Sequence, residues 1–170
     1  MRLSRALHDI GTVKKLLTGA EDEAHRAGDT LPGAEHLLLS ALALPDGSAR
    51  RAFERVGADP EQFRGAIGAA HADALRGVGI LAADDTSVAP AAGTVAPAAG
   101  VFRGNASLDQ AFQAAVALSK ATKPARLLGA HVVAAVCRLE HGTAARALTT
   151  LGIDRTALGA AAGEELSAGR

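Results

Sequence analysis

The chain has no Trp or Tyr and only four Phe among 170 residues, so its apolar volume must come from small and aliphatic side chains, chiefly Ala and Leu. Its one cysteine, Cys137, has no intrachain partner for a disulfide. There is no uninterrupted apolar run of membrane-spanning length, and mean hydropathy is only +0.14. The opening MRLSRALHDIGTV lacks the apolar core of a signal peptide, so a cytoplasmic location is expected. Net charge is also absent: 18 basic residues balance 18 acidic ones. The balance holds locally, with 10 bases and 11 acids in residues 1–80 and 8 and 7 in residues 81–170. Such a chain lacks the positive potential that drives binding to a phosphate backbone, which argues against an all-helical DNA-binding regulator. With 19 Gly and 6 Pro it is not one continuous coiled coil either.

What is present is helical periodicity. Leu16, Leu17, Ala20, Ala24 and Ala27 fall on one face of a segment from Val13 to Arg26, with Glu21, Asp22 and Glu23 opposite and Gly28 as its stop. A second helix is expected from about Glu35 to Pro45. A third, capped by Asp46 or Ser48, ends at Gly57. Asp59 with Pro60 behind it opens a fourth, which passes Phe63 and Ile67 towards Leu75. Residues 82–104 hold two near-identical heptads, SVAPAAG and TVAPAAG, without an amphipathic period, and read as a linker. Helical periodicity resumes from Ser107.

A shift of 95 positions superimposes Glu35-His36-Leu37-Leu38 on Ala130-His131-Val132-Val133 without a gap. It also places Gly47, Ala49, Arg51, Ala52, Gly57 and Asp59 on Gly142, Ala144, Arg146, Ala147, Gly152 and Asp154. These are residues that stop helices, cap them or allow close approach, so the chain is a duplication of a helical unit. The division expected is a first repeat over 1–81, the linker over 82–104 and a second repeat over 105–170, packed as one compact all-α domain.

The pattern A-E-H-L-L-L-S-A-L, followed by P-D-G-S-A-R-R-A-F and V-G-A-D, resembles the first repeat of the Clp N-terminal, or Clp R, domain of Clp unfoldases, and residues 128–158 resemble the second. The resemblance implies two pseudo-twofold-related four-helix repeats that receive substrates and adaptors for an ATPase. No Gly-Lys-Ser/Thr phosphate loop occurs, so the chain resembles the stand-alone, ATPase-lacking relatives found beside the ClpC unfoldase in actinobacteria.

The function implied is a non-catalytic binding module of the Clp system that recognises phosphoarginine-marked or unfolded proteins; the alternative is a structural or regulatory partner docking on a Clp unfoldase. Glu35 stands at the glutamate of the family's Glu-His motif, which helps bind phosphoarginine in ClpC-type domains, and its carboxylate suits a guanidinium. A helix-start carboxylate stabilised by the macrodipole is the simpler role. Ala130 at the second-repeat position implies a weakened or lost site there. His36, the other half of the Glu-His motif, is a ligand-binding candidate by the same resemblance, although from the residues alone His36 and His131 are expected to be buried and bonded to backbone at helix starts. ClpC-type domains also carry phenylalanines near the start of each repeat, lining a peptide surface used by cyclic peptides such as cyclomarin. Here Ile10 and Leu108 stand at those positions, with Phe102 between linker and second repeat.

No cofactor is expected and no enzyme, because neither G-x-S-x-G nor a cysteine with a recognisable base motif occurs. His131, Cys137, Glu140 and His141 lack a metal-binding spacing, so no metal is expected. Phe53, Phe63, Phe112 and Cys137 read as core, Asp46-Gly47-Ser48 as a plain turn, and the pairs Asp84-Asp85 and Glu164-Glu165 as solvated ends.

Overall fold

A computed structural model describes residues 2–77, 102–123 and 125–168. All regular structure among them is helical: α1 (Arg2–Ala27), α2 (Ala34–Leu42), α3 (Ser48–Arg55), α4 (Gln62–Gly77), α5 (Ala106–Ala121), α6 (Gly129–Val136), α7 (Thr143–Thr150) and α8 (Arg155–Ala168). The heptad pair and Asp84-Asp85 lie outside the described residues. The expected first helix is right in its stop but late in its start, since α1 begins at Arg2 and runs through Gly11. Once a helix is nucleated, each added residue gains a hydrogen bond at little cost, so one glycine does not end it.

The duplication is visible in the boundaries themselves. Adding 95 to α2 and α3 gives the starts of α6 and α7. Both third helices of the repeats end the same way. Gly57 and Gly152 take φ of +70° and +68°, donate to Glu54 and Thr149, and are followed by Ala58 and Ile153 donating back to Phe53 and Leu148. Only glycine enters that left-handed turn without strain, so the stop read from sequence is a backbone requirement. The first residues past these stops are capped alike, with Asp59 Oδ1 accepting from Glu61 N–H at 2.9 Å and Asp154 Oδ1 from Thr156 N–H at 2.8 Å.

The centre of the domain is the pair α2 and α6. Every residue of α2 is buried, which explains why it reads as nearly continuous leucine and alanine rather than an amphipathic stripe. α1 lies on α2, and α5 on α6. The outer helices cross between repeats, α3 packing on α8 and α4 on α7. Phe53 of α3 and Phe63 at the start of α4 are fully buried and meet edge to face, with ring centroids 6.1 Å apart. Phe112 is half-buried against the same core.

Three sequence expectations need correction. Glu23 is not opposite the apolar face of α1: seven residues after Leu16 it falls on the same face and is buried, paired with Arg26 and Arg64, whereas Ala27 is exposed. Glu165 is not a solvated end: it is buried, and its two oxygens accept from Arg51 Nε and Arg55 Nε at 2.6 Å each, tying α8 to α3. Its neighbour Glu164 does remain exposed, bound to Arg55 at 3.0 Å. The Asp46-Gly47-Ser48 segment is also more than a turn. Asp46 Oδ2 accepts from Gly129 N–H at 3.1 Å and Ser48 Oγ from Ala130 N–H at 2.9 Å, so the first repeat caps the central helix of the second. Ser107 returns the favour by accepting from Ala34 N–H at 3.1 Å.

Candidate functional site

The first turn of α2 and the first turn of α6 are built on one plan. His36 Nδ1 accepts the Gly33 N–H at 3.0 Å, and His131 Nδ1 accepts the Leu128 N–H at 3.0 Å, each ring reaching back to the residue before its helix. Both histidines are 1% exposed, as expected from sequence. With Nδ1 accepting, each neutral ring carries its hydrogen on Nε2. In the second repeat that hydrogen meets Thr122 Oγ1 at 2.8 Å. Burial, the largest influence, pushes the pKa of His131 down against smaller contributions from Leu128 and the Asp46 carboxylate.

The first repeat differs. Ala27 stands where a shift of 95 puts Thr122, and His36 Nε2 is buried with no hydrogen-bond partner, 3.4 Å from Asp29 Oδ2. Glu35 is only 5% exposed, and its carboxylate folds back over Gly33, where any side chain would collide with it. Donor atoms of Asp29, Glu35 and His71 all lie within 4.8 Å of one another. They come from the loop after α1, the start of α2 and the middle of α4. The charge of this cluster sets it apart from the other buried carboxylates: Glu23 is neutralised by Arg26 and Arg64, and Glu165 by Arg51 and Arg55. Among the described residues the ion-pair neighbour of Glu35 is His36, at 3.6 Å, and neither lysine nor arginine pairs with it. Two carboxylates held together without a permanent cation among the described residues make a site that favours an incoming positive charge.

At the matching place in the second repeat, Ala130 is fully buried and removes the carboxylate. The other positions singled out by the resemblance separate. Ile10 is 64% exposed on α1, whereas Leu108 is 1% exposed in the core and Phe102 is half-buried against it. A groove of about 430 Å³ runs between α1 and the two inter-helix loops, lined by Gly11, Thr12, Lys15, Pro45, Arg126 and Leu127, and Ile10 precedes its first lining residue in the chain without itself lining it. Asp9 of α1 accepts the N–H of Leu127, one of the groove's lining residues, at 3.3 Å. Neither Asp29 nor His71 carried a signal in the sequence, because nothing in the spacing 29, 35 and 71 says which helix faces will meet.

The family model for the Clp repeat (R) N-terminal domain matches residues 11–99. The chain belongs to that family. In sequence this Clp N-domain is similar to the chloroplastic chaperone protein ClpC of Pisum sativum, 41% identical over 51 residues, a stretch that is 30% of the chain and 6% of the pea protein. In structure it is similar to the N-terminal domain of the caseinolytic protease associated chaperone ClpD from Arabidopsis thaliana, with a TM-score of 0.59 and 20% identity over 92% of each chain. That likeness extends the Clp N-domain fold over the second repeat, beyond the residues matched by the family model. No helix among the described residues is long and apolar enough to cross a membrane.

Proposed function

We propose that this Clp N-domain is a non-catalytic module that binds substrates or adaptors for a Clp unfoldase in the cytoplasm, and that the Glu35 carboxylate receives the guanidinium of phosphoarginine. The observation that supports the second part is the buried Glu35 carboxylate beside Asp29, with no arginine or lysine paired to it among the described residues. A phosphoguanidinium would place its planar N–H donors against these oxygens in paired, charge-assisted hydrogen bonds. Ala130 leaves the second repeat without an equivalent, so one phosphoarginine per chain is expected. The groove that starts at Gly11 suits the extended chain of a client or a cyclic peptide of the cyclomarin type, and the exposed Ile10 next to it in the chain adds an apolar contact outside the groove.

Calorimetric titration of a phosphoarginine peptide tests the reading. Wild type should bind with one site and Glu35→Ala should release no heat; absence of heat with both proteins refutes phosphoarginine recognition. Capture from a cell extract addresses the partner: mixed client proteins support a substrate-binding module, and an unfoldase alone favours a docking partner instead.

A further inference from the structure

The unsatisfied histidine and the unneutralised carboxylates of the first repeat meet at one place, and together they fit a ligand simpler than a modified peptide. We propose that Asp29, Glu35 and His71 form a binding site for a divalent transition-metal ion, zinc or manganese, with His36 holding Asp29 in position from behind.

The donor set carries the argument. Two carboxylates and one imidazole are the oxygen and nitrogen ligands that such ions take, and they leave a further coordination position open to water or to a ligand. A four-coordinate zinc bound at its usual distances spaces its ligand atoms about 3.3–3.6 Å apart. The three donors, already within 4.8 Å of one another, reach that spacing by side-chain rotation. Charge points the same way, since two negative groups, one of them 5% exposed, lack a lysine or arginine partner among the described ion pairs.

The independent observation is His36. Its ring is 1% exposed, its Nδ1 is occupied by the Gly33 N–H, and its Nε2–H has no acceptor. His36 therefore cannot itself ligate a metal through Nε2, which holds the hydrogen. It can serve the role of an outer-shell donor: Asp29 Oδ2 lies 3.4 Å away, slightly beyond a good hydrogen bond, and a small rotation of Asp29 onto the ion would bring it into range. The second repeat supplies an internal control. There His131 already has its Nε2 partner in Thr122, the glutamate is Ala130, and the shift of 95 puts Leu166 at the place of His71.

This site does not depend on phosphoarginine recognition, although both would use Glu35, so metal and guanidinium should exclude each other. The test is calorimetric titration of the chelator-stripped full chain with zinc chloride and with manganese chloride, for wild type, Asp29→Asn and His71→Ala, after circular dichroism confirms that each is folded. Wild type should bind one ion per chain, and each variant should bind at least about tenfold more weakly. Should His71→Ala fail to fold, Asp29→Asn carries the test, because Asp29 sits in a loop with its side chain 35% exposed. Wild type that binds neither ion overturns the proposal, as do two folded variants that bind like wild type. Repeating the phosphoarginine titration with zinc present separates the two readings. A chain that binds zinc but never phosphoarginine supports the metal site and removes the earlier reading, whereas one that binds phosphoarginine but no metal overturns this one.

Discussion

Replacing His131 with alanine should cost the domain stability at neutral pH and remove part of its sensitivity to acid. The ring is 1% exposed and satisfies the Leu128 N–H at 3.0 Å, so truncation leaves a backbone donor without its partner at the start of the central helix α6. An orphaned buried donor costs about 1–3 kcal/mol. Loss of the packed ring adds about 1–2 kcal/mol of apolar burial, since the side chain is enclosed on all sides. The sum, roughly 2–5 kcal/mol, corresponds to a fall in Tm of roughly 5–15 °C for a domain of this size. Thr122→Val removes the Nε2 partner of the ring together with the bond its hydroxyl donates to the Ser119 carbonyl at 3.1 Å, and should cost about 1–2 kcal/mol.

The acid effect has a definite sign. Burial holds the folded-state pKa of His131 below the ordinary value of 6.5, so the unfolded chain takes up a proton that the folded ring resists. Stability contributed by the neutral ring is fully present above about pH 6.5 and falls as the pH drops below it, by at most about 1.4 kcal/mol per pH unit, until the folded ring itself titrates. Thermal melts followed by circular dichroism between about pH 5.5 and 7 measure both effects. A variant His131→Ala that melts with wild type, or that keeps the full wild-type slope over this interval, refutes the assignment of the ring as a neutral buried cap.

Three further outcomes follow from packing and charge. Gly129→Ala would put a methyl 2.9 Å from Ala49 Cβ and 3.0 Å from the Ala41 carbonyl oxygen, where small side chains and backbone have little room to yield; urea unfolding should show a loss of about 1–3 kcal/mol. Glu165→Gln should weaken the tie between α3 and α8 by on the order of 1 kcal/mol, discounted because Arg51 and Arg55 remain about half in water. Burial pushes the Glu165 carboxyl up, but hydrogen bonds from Arg55 and Arg51 outweigh it and hold it below its ordinary value. Its contribution is therefore present above the unfolded carboxyl's pKa and lost as pH falls through the folded one, and denaturation curves of the two proteins should converge below about pH 4. Finally, burial pushes the Cys137 thiol up to about 12 despite the nearby Arg155. It should label with a thiol reagent only after unfolding, and stoichiometric labelling of the native chain within the mixing time would contradict this.

Much of the fold was legible because its signals are local. Helix stops at Gly57 and Gly152, the aspartates beyond them and the paired histidines each act on backbone within a few residues, so their spacing in sequence carries their geometry. The start of α1 was not legible, since the apolar spacing read from Val13 onward shows only the later turns of a helix that begins at Arg2. Of the candidate site, Glu35 and His36 were found, but through the motif rather than through their surroundings. Ile10 and Leu108 read alike as apolar residues near repeat starts, yet one is in solvent and the other in the core.

By itself the sequence determined the helices, their caps and the repetition of one unit 95 positions apart, because hydrogen bonds along a helix connect near neighbours and periodicity shows which face turns inward. Only the tertiary structure decided which faces meet. It carried α3 to α8 and α4 to α7, closed Arg51 and Arg55 on Glu165, set Asp46 and Ser48 on the helix of the other repeat, and brought Asp29 and His71 to Glu35. Those pairings depend on how ridges of small side chains settle across helices far apart in the chain, and no spacing within a single helix encodes that.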